Sequence, residues 1–178
     1  MGIFGYTLLA LAGVIVGLVF VASRKPDTFR VERRARVAAT PEAIFPHINS
    51  LEAWQVWSPW AKKDPNAKNI FGPVRVGPGA SMRWEGNKEV GVGTMTITQT
   101  VPNSALTMRL DFEKPFTATN IAEFTLRPDG NATEVIWSLH GPAPLVTKIM
   151  DLLMNMDRMI GRDFEAGLAN LKAIAEAR

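Results

Sequence analysis

The chain has 178 residues, 20 Lys and Arg against 17 Asp and Glu, a formal charge of +3 and no cysteine. Disulfides and thiolate chemistry are therefore excluded, although zero cysteine selects no compartment. The charge is modest and no basic stripe interleaved with aromatics is present, so nucleic acid is not expected as a partner.

Charge is unevenly spread along the chain. Met1 to Ser23 carries no ionisable Lys, Arg, Asp or Glu, and all of these begin at Arg24. Ile3 to Ala22 forms an apolar run of 20 residues. At about 1.5 Å per residue such a helix spans roughly 30 Å, the thickness of a bilayer's hydrocarbon core. A cleaved signal peptide is the competing account, because Val21-Ala22-Ser23 has the small residues of a cleavage site. No cation precedes the run, and the run exceeds the usual signal core. The reading is a single-pass anchor over residues 1–23, a basic linker over 24–27 and one domain over 28–178.

Arg24, Lys25, Arg30, Arg33, Arg34 and Arg36 follow the apolar run, against Asp27 and Glu32. The positive-inside rule then places the domain in the cytoplasm. The bilayer is the first expected partner, and the cations either touch anionic head groups or only set topology. Gly13 and Gly17 form a G-x-x-x-G, which lets a second membrane helix approach closely. A membrane-protein partner is the expectation there.

Thr28 to Ala38 alternates, with Phe29, Val31, Arg33, Ala35 and Val37 on one side, and reads as a strand with one wet face. Thr40-Pro41 then offers an N-cap and a first helical residue for a short helix to about Ile48. Leu51 to Val56 reads as a second short helix, stopped before Pro59. Strand-like runs follow at Ile70–Phe71, Ala80–Trp84, Val90–Val101, Ala105–Phe112 with Thr117–Leu126, and Thr133–His140. Turn residues such as Pro128-Asp129-Gly130 separate them, which favours an antiparallel meander.

After Pro144 the apolar residues recur at Leu145, Ile149, Leu152, Met156, Ile160, Phe164, Leu168, Leu171 and Ala175. Steps of three and four over about eight turns predict one long amphipathic helix. Its apolar stripe must be buried on the sheet, giving an α+β domain. Gly161 and Gly167 weaken a helix interior by roughly 1 kcal/mol each relative to alanine, and mark close approach of another segment.

Several motifs resemble the SRPBCC or START-like helix-grip superfamily, in particular membrane-anchored bacterial members of its polyketide-cyclase-like branch. They are Trp54-Gln55-Val56-Trp57-Ser58-Pro59-Trp60, Trp84-Glu85-Gly86-Asn87, Gly91-Val92-Gly93-Thr94-Met95 and Met156 through Glu165. The resemblance implies a curved sheet of about seven strands around the C-terminal helix, with an apolar cavity between them. It implies no single activity.

Soft apolar side chains are the candidate lining. Met150 and Met154, with Met156 and Met159, crowd the last helix, and thioethers accept varied apolar shapes. Trp84, Met95, Met108, Leu110, Phe112, Phe124 and Trp137 lie on strands and are expected to face them. A packed core without room for a guest competes with this reading. Trp54, Trp57 and Trp60 either close the cavity mouth or anchor the helix-to-strand crossover.

No catalytic constellation, metal spacing or cofactor motif emerges. His47 and His140 are too isolated to share a metal. Asp151, Asp157 and Asp163 recur every six residues, about 240° apart on a helix, so they do not share a face; they are expected to be solvated or paired with Arg158 and Arg162. Three functions remain open. The first is a membrane-tethered binding protein for a hydrophobic or lipid-like small molecule, and the second an accessory subunit of a larger membrane complex. The third is a cyclase/aromatase-type enzyme, for which Arg109, Asp111, Asn120 and Glu123 are the strand polars to weigh. Strand alternation turns Arg109 and Asp111 outward.

Overall fold

The computed structural model describes residues 2–177. Helix α1 (Ile3–Ser23) precedes the domain, and its apolar stretch Phe4–Ser23 is long enough to cross a membrane. Strand β1 (Thr28–Val37) opens the domain. Three short helices follow: α2 (Pro41–Asn49), α3 (Leu51–Trp57) and α4 (Pro59–Lys63). Then come β2 (Lys68–Phe71), β3 (Ser81–Glu85), β4 (Val92–Val101), β5 (Ala105–Lys114), β6 (Ala118–Asp129) and β7 (Ala132–Pro142). Helices α5 (Leu145–Met154) and α6 (Met156–Glu176) complete the order.

The seven strands form one antiparallel sheet in the order β1-β7-β6-β5-β4-β3-β2. The meander runs back from β2 to β7, and β1 closes the far edge. Two register shifts in β4, at Val92/Gly93 and Ile97/Gln99, bend that strand. Alternate residues Met95 and Ile97, Leu106 and Met108, and Ala122, Phe124 and Leu126 are buried on one face. Phe164, Leu168 and Leu171 of α6 are buried with them in one core. This is the α+β helix-grip arrangement.

The expected single C-terminal helix is two helices. Asn155 takes a left-handed backbone, φ 51° and ψ 79°, which ends α5. Its side chain then caps α6, accepting from the Arg158 amide at 3.0 Å. Asp151 Oδ1 accepts the Met156 amide at 2.8 Å. Asparagine tolerates the left-handed well and is also a favoured N-cap, so one residue does both jobs. The apolar stripe runs through the break, which hid it. Helix α3 stops before Pro59 as expected, and Pro59 then opens a further short helix, α4.

Arg33 joins β1 to α6. It shares a register position with Trp137 and so emerges on the core face. Its Nε donates to Glu165 at 2.7 Å, and its two Nη groups reach both Asp157 carboxylate oxygens at 3.1 and 3.0 Å. The same fork also donates to the Asp157 and Glu32 carbonyls, at 3.0 and 2.8 Å. Gly161 makes room for this. A Cβ there would lie 1.9 Å from Arg33 Nη2.

Gly161→Ala should therefore destabilise the domain. Alanine gains about 1 kcal/mol of helix propensity. Moving a guanidinium held by five bonds costs more, even discounted for the solvent around Asp157 and Glu165, leaving a net loss on the order of 1 kcal/mol. Urea unfolding of Gly161→Ala, Arg33→Met and the double variant checks this. The double variant should be less destabilised than the sum of the two.

Candidate functional site

The space between sheet and α6 is built from aromatic rings. Trp137 of β7 lies parallel to Phe164 of α6 with centroids 3.9 Å apart, and stacks on Phe124 of β6 at 5.0 Å. Trp54 and Trp57 of α3 and Trp60 of α4 meet Trp137 edge-on at 5.4, 5.5 and 5.8 Å. Such pairs contribute about 0.5–1.5 kcal/mol each beyond their buried area. Gly167 permits the stacking, since a Cβ there would lie 2.8 Å from the Trp137 ring.

Trp57 is fully buried and donates its indole N–H to the His47 carbonyl at 3.0 Å. Trp137 is 1% exposed, yet its indole nitrogen has no hydrogen-bond partner among the described residues. Of the two readings, cavity mouth or crossover anchor, the deep burial of Trp54 and Trp57 favours the second for those two rings. Their three-residue spacing turns both rings inward, where they anchor the crossover. Trp60 alone is half-buried.

The strand residues proposed as lining do converge. Trp84, Met95, Met108, Phe124 and Trp137 are buried in the core, and Leu110 and Phe112 pack partly buried against it. Trp84 meets Phe112 edge-on at 5.6 Å. Gly93 clears the way, because a Cβ there would stand 2.5 Å from the Trp84 ring. Met150 and Met154 do not join this set. They sit on α5, which packs against α1 and α6 rather than the sheet, and Met154 is exposed. The break at Asn155 takes them out of the grip.

The strand polars separate as alternation requires. Arg109 and Asp111 pair on the outer face at 2.8 Å, and Thr119 donates to the same carboxylate at 2.7 Å. Glu123 faces Arg30, Ser138 and His140. Asn120 turns inward and is buried against Gly141.

A concavity lies where the segment after α1 meets β1, α5 and the first turn of α6. It encloses about 200 Å³, with Phe29, Val31, Ala143 and Met156 on its apolar walls. Two ion pairs border it. Lys148 is nearly buried and holds Asp27 at 2.6 Å, and Lys25 holds Asp151. Sequence reasoning missed these pairs because partners 121 and 126 residues apart leave no local signal.

The three aspartates take partners other than Arg158 and Arg162. Asp151 binds Lys25 after α1, Asp157 binds Arg33 of β1, and Asp163 binds Lys63 of α4 at 2.7 Å. Facing three ways, they fasten the C-terminal helices to three different segments. Further cations of β1 are likewise paired with carboxylates: Arg34 with Glu32 and Glu134, and Arg36 with Asp129.

Fold and interior together define a helix-grip protein of the SRPBCC type. The chain belongs to the family described as polyketide cyclase / dehydrase and lipid transport, whose model matches residues 28–176. Protein CV1439 from Chromobacterium violaceum has the same fold, with a TM-score of 0.59 at 15% identity over 86% of this chain and 100% of that one. Hypothetical protein jhp0584 from Helicobacter pylori superposes with a TM-score of 0.62 at 9% identity, covering 83% of this chain and 88% of that one. The Aha1 dimer from Colwellia psychrerythraea gives 0.57 at 16% identity, covering 84% and 99%. No protein of curated function matches the chain in sequence.

Lys25 holds the Asp151 carboxyl below its usual range, mainly by direct hydrogen bonding, and Lys148 does the same to Asp27. A lowered carboxylate stabilises the fold above its unfolded pKa, and that contribution disappears as pH falls through the lower, folded value. Hydrogen exchange should find α5 amides equally protected from pH 7 to 5, after correction for intrinsic rates. Protection should drop below the ordinary carboxylate value of 3.8, ahead of any loss in β6 and β7.

Proposed function

We propose that this is a membrane-tethered binding protein for a hydrophobic, lipid-like small molecule, held between the sheet and α6. The unpaired indole N–H of Trp137 carries this reading. A buried donor without an acceptor costs about 1–3 kcal/mol. Around it the walls are almost wholly aromatic or aliphatic. An apolar site with one convergent donor suits a long apolar molecule bearing one carbonyl or hydroxyl oxygen. Trp60, half-buried on the five-residue α4, is the ring that swings aside to admit it.

The family's description, which pairs cyclase and dehydrase chemistry with lipid transport, supports the ligand class. The apolar α1 supports the tether. Six cations follow α1 within residues 24–36 and none precedes it, which supports a cytoplasmic domain. A second reading, a subunit of a membrane assembly, draws on Gly13 and Gly17. A Cβ at either meets nothing within 4 Å, so that strip of backbone is open to another helix.

Full-length protein in detergent, titrated with a fluorescent polyene fatty acid, tests the first reading through quenching of tryptophan emission. Saturable quenching is expected. Trp137→Phe should weaken binding about fivefold, the worth of one hydrogen bond near 1 kcal/mol. Quenching that never saturates, or an affinity indifferent to Trp137→Phe, would overturn it.

A further inference from the structure

Helix α5 presents an unusual surface for a globular domain. Val146, Leu153 and Met154 are 59, 69 and 55% exposed, and Leu145 is also exposed. At about 100° per residue, Leu145, Ile149, Leu153, Val146, Met150 and Met154 fill roughly half the circumference. Lys148 and Asp151 occupy the other half, where both are tied to the segment that follows α1. The helix is thus amphipathic with its polar face inward and its apolar face open, the reverse of a helix that covers a core.

Position decides what covers that face. The strand register sets Pro142, the last residue of β7, opposite Thr28, the first of β1. So α5 begins at the same end of the sheet at which α1 leaves. The two helices touch: α5 packs against α1, where Ala22 is fully buried and Leu18, one turn earlier, is half-buried. Asp27 adds a backbone tie, its carbonyl accepting the Ala143 amide at 2.7 Å. If α1 spans a bilayer over Phe4–Ser23, its last turn marks the edge of the hydrocarbon, and α5 is fastened at that depth.

We infer that α5 lies in the membrane interface, with Leu145, Val146, Leu153 and Met154 sunk among the lipid acyl chains beside the exit of α1. This rests on the reading that α1 crosses the membrane. The chemistry is that of an interfacial helix: one apolar face, a charged opposite face and a length of ten residues, too short to span. Met159, on the first turn of α6, is also exposed. The anchor then has two parts, one across the bilayer and one on it, and the domain sits against the lipid.

The absence of cysteine makes the test direct, because a single introduced thiol is the sole labelling site. Three full-length variants, Leu153→Cys, Val14→Cys and Asn131→Cys, each carry an environment-sensitive fluorophore in vesicles of phosphatidylcholine and phosphatidylglycerol. Residue 131 lies in the β6–β7 turn, at the opposite end of the sheet from Thr28. Nitroxide-labelled lipids quench whatever touches the acyl chains. Emission at Leu153→Cys should fall about twofold or more with a shallow nitroxide, while Asn131→Cys stays unchanged.

Quenching of Val14→Cys by a deep nitroxide reports the span independently. Val14→Cys quenched and Leu153→Cys open to aqueous iodide would overturn the placement of α5 and leave the anchor intact. Val14→Cys unquenched would remove the anchor itself. A Leu153→Cys probe shielded from both lipid and iodide would assign the face to a protein partner and also overturn the inference.

Discussion

The fork of Arg33 through the gap at Gly161 sets the geometry on which the grip depends. A curved sheet and a helix with an apolar stripe can slide on each other, because burial is non-directional. Five hydrogen bonds of fixed direction cannot slide. They place the first turns of α6 against β1, and from there the helix axis determines where Phe164 and Gly167 meet Trp137. Hydrogen bonds from Arg33 to Asp157 and Glu165 hold the guanidinium above its ordinary pKa, so the arginine arm of the clamp stays charged. The choice of arginine matters, since its planar fork satisfies two carboxylates and two carbonyls at once.

Glycine and tryptophan work as pairs in this domain. Gly167 faces the ring of Trp137 and Gly93 faces that of Trp84, each at a separation no Cβ would allow. Large flat rings need flat surfaces, and a backbone stripped of its side chain is the flattest available. The helix propensity lost at Gly161 and Gly167 is thereby converted into side-chain packing and hydrogen bonding elsewhere.

Much of this fold is legible in the sequence. The alternation of β1, the turn at Pro128-Asp129-Gly130 and the stripe from Ile160 to Leu171 report which face of each element is buried. Periodicity reports a face but not its partner. Arg33 falls among the apolar positions of β1, and nothing local says that two acids 124 and 132 residues away await it. The same limit hid the Lys148–Asp27 and Lys25–Asp151 pairs. Met154 and Met150 were read into the interior on the softness of their thioethers, although both lie off the apolar stripe. The left-handed backbone at one asparagine redirects ten residues, and only the double role of Asn as helix end and helix cap hints at it. Trp54 and Trp57 were legible as important but not as inward, because a short helix fixes spacing without fixing depth.

The segment between α1 and β1 carries a mechanical consequence. Four residues of free chain would let the domain wander through an arc of roughly 13 Å. Here Lys25 is pinned to Asp151 and Asp27 is held through both its side chain and its carbonyl. The joint behaves as a bracket rather than a leash. A helix fixed this way cannot turn about its own axis without turning the domain, so the bearing of the sheet is set by the direction in which α1 points.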